Sequence, residues 1–268
     1  MLWPLIAFYS EANPAVTRKL DLSACWNDVM QLFRRERDLL LSIAGVFVLL
    51  PSLAFAMFVR QPVTPQDADF TVLAETMRQF YIDNIFWIAL VGLANGFATV
   101  AMLMLMFDRA RPSVAEAMRR ALALLLPYYA MGIMSTVAVF LGSLAFVLPG
   151  IYIFIKFVIA GPVMVAERMA SPVAALRRSW QLTKGNTGRV LIFVVIVAVT
   201  AFFIYLTSVT VLGLVIRLAV PADIAETLTT LVDSVLSMFL TVLMVCVYAA
   251  IYRQLAEPDT KSVASAFD

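Results

Sequence analysis

The chain predicts an all-α, polytopic membrane bundle. Three observations carry this: six long apolar stretches bounded by charge, basic residues that fall on alternate connections, and a recurring short amphipathic segment ahead of an apolar hairpin. Composition agrees, because 62% hydrophobic and 14% charged residues lie far from the roughly 45–50% and 25% of soluble chains. No stretch remains for a large soluble domain.

The apolar stretches are residues 39–59, 85–107, 121–148, 151–166, 190–216 and 227–252. A helix needs about 20 mostly apolar residues to cross the hydrocarbon core. Five stretches meet that length directly, and 151–166 does so once its flanks are counted and the long Lys156 side chain reaches for the boundary. Residues 21–252 form one membrane domain, with an N-terminal tail over 1–20 and a C-terminal tail over 253–268. The apolar segment 1–9 lacks the basic flank and small-residue cleavage site of a signal peptide, so it reads as a loosely held tail.

Sixteen of the 20 Lys and Arg residues fall on one side. They precede the first span (Arg18, Lys19, Arg34, Arg35, Arg37), join the second to the third (Arg109, Arg111, Arg119, Arg120), join the fourth to the fifth (Arg168, Arg177, Arg178, Lys184, Arg189), or follow the sixth (Arg253, Lys261). The other side holds Arg60, Arg78 and Arg217 among acidic residues such as Glu75, Asp83 and Glu226. The positive-inside rule then puts both termini in the cytoplasm. A basic cytoplasmic face favours anionic lipid headgroups as partners.

A period of 58 residues relates S-V-A-E-A-M-R-R at 113–120 to S-P-V-A-A-L-R-R at 171–178. Each copy opens with a serine able to cap a helix, and Pro172 and Glu116 stand where helix starts favour them. A weaker copy precedes the first span. The chain thus divides into helix-hairpin units at about 22–107, 113–166 and 171–252, each a cytoplasmic amphipathic interface helix followed by two spans. In the last unit Val173, Leu176 and Trp180 form the apolar stripe, with Arg177, Arg178 and Lys184 outside it. This places Trp180 at the headgroups. Gly185, Asn186 and Gly188 read as the turn into the fifth span.

Lys156 and Asp233 are the only charges inside the spans. Each costs about 2.5–3.5 kcal/mol in hydrocarbon even on a lenient scale, so both are candidate intramembrane groups. Counting from the outer ends puts them at matching depth. They either pair across the fourth and sixth spans, or Lys156 snorkels while Asp233 is hydrated. Asn95 is a milder polar candidate, suited to hydrogen bonding between helices. Pro51, Pro127 and Pro162 can bend or end helices, and Gly161-Pro162 can make the fourth span discontinuous. Met102, Met104 and Met106 alternate faces and cannot form one metal-binding row.

The chain contains no His, and Cys25 and Cys246 do not have zinc-site spacing. No catalytic residue, metal ligand or cofactor is therefore expected, nor a nucleic-acid partner. The stretch Leu148-Pro149-Gly150-Ile151-Tyr152, then Lys156, Pro162 and Glu167, then Ala175-Leu176, Ser179-Trp180 and Leu182-Thr183-Lys184-Gly185 resembles the YciC-like membrane family. It also resembles the related membrane domain attached to some glycerophosphoryl diester phosphodiesterases. The resemblance implies a bacterial inner-membrane protein in which a Pro-Gly turn opens a span bearing a basic residue. Where that domain is fused to the phosphodiesterase, the family's catalytic barrel is a separate soluble domain using His. The expectation is a non-enzymatic structural, lipid-interacting or envelope-assembly component. The alternative is a transporter or permease subunit with a polar pathway along Asn95, Lys156 and Asp233.

Overall fold

The computed structural model describes residues 19–60, 62, 69–107 and 114–256, and every regular element among them is helical. Among the described residues, six helices are long and apolar enough to cross a membrane: Leu22–Phe58, Ile85–Phe107, Arg119–Ala145, Val147–Ala166, Thr187–Ala219 and Ile224–Ala256. The tails over 1–18 and 257–268 and the capping position Ser113 lie outside the described residues.

The first of these corrects an expected boundary. Helix α1 (Leu22–Ala44) passes through a π turn (Gly45–Leu49) directly into α2 (Leu50–Phe58), so the amphipathic segment is the first part of the spanning helix. Asp21 starts it by accepting from the Ser23 and Ala24 amides at 2.9 and 3.0 Å. No glycine, proline or cap follows between Arg34 and Leu39 to end the helix. The wider turn falls just before Pro51, where the missing proline N–H already weakens the helical ladder.

The connection between the first two spans holds a helix that hydropathy did not reveal. Helix α3 (Phe70–Asp83) is capped by Asp69, which accepts from the Val72 amide at 2.9 Å and the Thr71 hydroxyl at 2.7 Å. Those bonds hold the Asp69 carboxyl below its ordinary pKa. Asn84 alone separates α3 from α4 (Ile85–Phe107). Helix α5 (Val114–Ala145) carries Arg119 and Arg120 into the third span without interruption, so a separate interface helix is absent here too. Pro127 lies within it.

The fourth span is broken, as Pro162 suggests. Helix α6 (Val147–Phe157) stops at Val158 and Ile159, and α7 (Ala160–Ala166) resumes. Pro162 cannot donate to the Val158 carbonyl four residues back, which is where the continuous ladder fails. Helix α8 (Pro172–Leu182) stands apart from the spans before and after it. Its start is capped by Ser171, which accepts from the Ala174 amide, and Gly185 ends its turn at φ 83°. The last spans are α9 (Thr187–Ala219) and α10 (Ala222–Ala256).

Several contacts define one end of the bundle. Leu20 meets Asn186 and Arg189, the Gln254 amide lies against Asp28, and Tyr252 reaches Glu167. The core sits toward this basic end. It takes Phe97 to Met106 from the last part of α4, Val190 to Val197 from the first part of α9, and Val242 to Ile251 from α10. Cys25, Val29 and Leu32 of α1 pack into it, and both cysteines are buried as free thiols. Outward-facing Leu126, Ile133, Phe140 and Leu144 of α5 supply an apolar surface suited to lipid.

Candidate functional site

Helix α8 turns back from α7 and lies against the broken span. Ala175, Leu176 and Ser179 face inward and are buried, whereas Val173 is exposed and Trp180 is partly so. The buried face is therefore rotated from the expected stripe. Small side chains permit the close approach, and Ser179 donates its hydroxyl to the Lys156 carbonyl at 2.7 Å. Thr183 continues the ledge by donating to the Ser179 carbonyl at 2.9 Å.

An ionic latch lies beside this ledge. The Arg178 Nε lies 3.0 and 3.2 Å from the two Glu167 oxygens, and the Tyr252 hydroxyl donates to Glu167 at 3.3 Å. This links α8, the end of the broken span and the last helix in one network. Arg177 and Lys184 are exposed. Asn186, read from sequence as turn chemistry, is buried and accepts the Leu20 amide at 2.9 Å. Arg189 donates to the Leu20 carbonyl at 3.0 Å.

Lys156 is buried, with its ammonium 5.4 Å from the Tyr152 ring centre and 5.5 Å from that of Trp180. Tyr152 and Trp180 meet edge to face, and Phe157 closes on the other side of the indole. Two rings thus cover the charge. Trp180 forms half of this clamp while staying partly exposed.

Asp233 has a different partner. The Tyr205 hydroxyl of α9 donates to it at 2.5 Å, and a cavity of about 720 Å³ beside it is lined by Arg60, Glu226 and Thr229 toward the opposite end of the bundle. No ion pair joins Lys156 to Asp233 among the described residues, so the proposed pairing does not form. The reason lies in α8. Counting residues from the outer ends omits a helix that folds back and brings the Trp180 ring to Lys156. Asn95 is half-buried on α4, and its carbonyl accepts the Thr99 hydroxyl at 2.9 Å. The structure brings none of the three candidates together.

A small cavity of about 190 Å³ lies at the broken span, between Thr99, Tyr128, Ser135, Gly161, Pro162 and Tyr248. These hydroxyls surround the position where the helix loses a backbone bond, an arrangement able to satisfy freed polar groups. Sequence reasoning passed over them because isolated tyrosines and threonines in apolar helices carry no motif.

These partners make the coupling pattern testable. Tyr205→Phe and Asp233→Asn should be non-additive in thermal unfolding, by about 0.6 and at most about 1.7 kcal/mol as for other hydrogen bonds between membrane helices. Lys156→Met and Asp233→Asn should instead add within about 0.3–0.5 kcal/mol. Strong coupling of the second pair would refute the two separate environments.

The model of one family, the membrane domain of glycerophosphoryl diester phosphodiesterase, matches residues 123–256. No curated protein and no solved structure matches the chain. The matched region runs from within α5 to the end of α10 and includes Lys156, the Glu167–Arg178 latch, α8 and Asp233. That is half of the 268 residues. The chain belongs to the family of the membrane domain of glycerophosphoryl diester phosphodiesterase.

Proposed function

We propose that the protein is a non-catalytic, lipid-interacting structural component of a bacterial inner membrane, with both termini cytoplasmic. The observation that carries this reading is how its intramembrane charges are held. Lys156 is covered by Tyr152 and Trp180, and Asp233 is bonded by Tyr205, so each is tied to its own neighbours. A transport pathway along Asn95, Lys156 and Asp233 would need them on one polar cavity. Asp233 instead lines a cavity with Arg60 and Glu226 that includes neither of the others. The distribution of Lys and Arg supports the orientation, and the resemblance of residues 148–185 to the YciC-like family is what suggests a bacterial inner-membrane setting.

Two measurements test this reading. Mild extraction followed by native mass spectrometry should find phospholipid bound to the protein; a lipid-free protein under conditions that preserve the fold would overturn the lipid-interacting role. For orientation, Thr64→Cys and Ala222→Cys should be labelled in intact cells, and Lys184→Cys only after permeabilisation. The native Cys25 and Cys246 are buried and leave a low background. Labelling at position 184 from outside would reverse the topology.

A further inference from the structure

A large apolar groove lies on the bundle, and a basic cleft begins at its rim. The groove, of about 540 Å³, runs between α9 and α10 with α1 across one end. Phe193, Ile196 and Ile204 form one wall, Phe239 and Leu243 the other, and Tyr205 lies at the far end. From residue 193 to residue 205 it extends roughly 18 Å at 1.5 Å per residue, close to one leaflet of a core about 30 Å thick. Exposed Ile196, Ile204 and Phe239 leave it open to the lipid side.

Trp26 of α1 is the shared rim. It lines the apolar groove and also the start of a shallow cleft formed by Asn27, Met30, Gln31, Arg34 and Arg35. Arg35 is paired with Glu36 at 2.9 Å, whereas Arg34 has no ion pair among the described residues. The indole thus stands between an apolar slot of acyl-chain length and a cluster of amide and guanidinium donors. An indole is well suited to that boundary between hydrocarbon and headgroups.

We infer that this groove holds an anionic phospholipid from the leaflet on the basic side. One acyl chain lies between α9 and α10, and the phosphate sits beyond Trp26 against Asn27, Gln31 and Arg34. The inference rests on the lipid-interacting reading above and assigns it a place and a headgroup class. Charge complementarity decides the occupant, because an apolar peptide segment would fill the slot but leave Arg34 unanswered. A guanidinium can instead bind phosphate through paired N–H donors.

The test uses the full chain in nanodiscs containing phosphatidylglycerol and phosphatidylcholine, followed by release into mild detergent and native mass spectrometry. The wild type should retain phosphatidylglycerol in preference to phosphatidylcholine. Arg34→Gln should reduce that preference about fivefold, the effect of one cation near an anionic lipid. Ala201→Trp, which places bulk in the slot, should reduce retention of both lipids, with Leu126→Trp on the outer face of α5 as a size-matched control. Thermal melting identifies variants that retain the fold. Wild-type retention unchanged in both folded Arg34 and Ala201 variants would overturn this site and leave the lipid-interacting reading standing. A wild type that retains no lipid would remove that reading itself. Lipid retention that appears only after residues 1–9 are deleted would assign the slot to the chain's own apolar N-terminus and overturn the inference. Competition of retained lipid by soluble glycerol phosphate alone would also overturn it, since the acyl chain would then contribute nothing.

Discussion

Gly150→Ala is expected to destabilise the bundle by roughly 1–3 kcal/mol, the usual cost of overpacking, and to lower the yield of folded protein. A Cβ at this position would lie 2.0 Å from the Ser143 Oγ and 3.0 and 3.1 Å from the Ser143 Cβ and Cα. The hydroxyl can rotate away. The backbone of α5 cannot do so without separating α5 from α6, and Gly142 holds the same contact from the other side, where its Cβ would come 3.3 Å from the Gly150 Cα. Ser143→Gly should therefore rescue Gly150→Ala in part, whereas Ser143→Ala, which keeps the Cβ, should rescue it less. Gly132→Ala provides the contrast, since nothing lies within 4 Å of its Cβ position. It should be neutral or slightly stabilising, as alanine is the better helix former. Equal melting temperatures for the alanine variants at 132 and 150 in the same detergent would rule out the tight α5–α6 crossing.

The same glycine shows what can be read from sequence in a membrane protein. The Pro149-Gly150 pair falls in the first turn of α6, which begins at Val147, so it marks the start of the span although the chain turns before it, at Phe146. The structural demand on Gly150 comes from Ser143 in the preceding helix, and sequence spacing does not reveal that demand. Span number was legible for a firm reason: in hydrocarbon the backbone must satisfy its own hydrogen bonds, so length and hydropathy determine each helix. The break at Val158 was legible through Pro162, and the isolated helix at 172–182 through Ser171 and Gly185. Continuity through α1 and α5 was not, because amphipathic and apolar sections of one helix differ in surroundings rather than in backbone conformation. Depth counting set Lys156 beside Asp233, but it gives position along an axis and omits which face a residue takes. It also omits that α8 folds back to supply Trp180 and Ser179.

Asn186→Leu is expected to release the entry to α1 and to destabilise the protein by about 1–3 kcal/mol, the cost of a buried backbone donor left without its partner. Asn186 is 2% exposed, and its side-chain oxygen accepts the Leu20 amide at 2.9 Å across 166 residues of sequence. Arg189, less than one helical turn further on, donates to the carbonyl of the same residue at 3.0 Å. Leu20 is thus held at both polar groups of its backbone by the start of α9. These bonds attach a segment outside residues 123–256 to the part that matches the family. Leucine keeps the branched outline of asparagine and removes the acceptor; Asn186→Asp keeps an acceptor at the same place and should retain much of the stability. Besides the melting temperature in detergent, the readout is tryptic cleavage after Lys19, which lies directly before the held residue and is exposed. Asn186→Leu should speed cleavage there relative to wild type, with Asn186→Asp falling between them. If the leucine variant melts and is cut at Lys19 like the wild type, the start of α9 does not hold the start of α1.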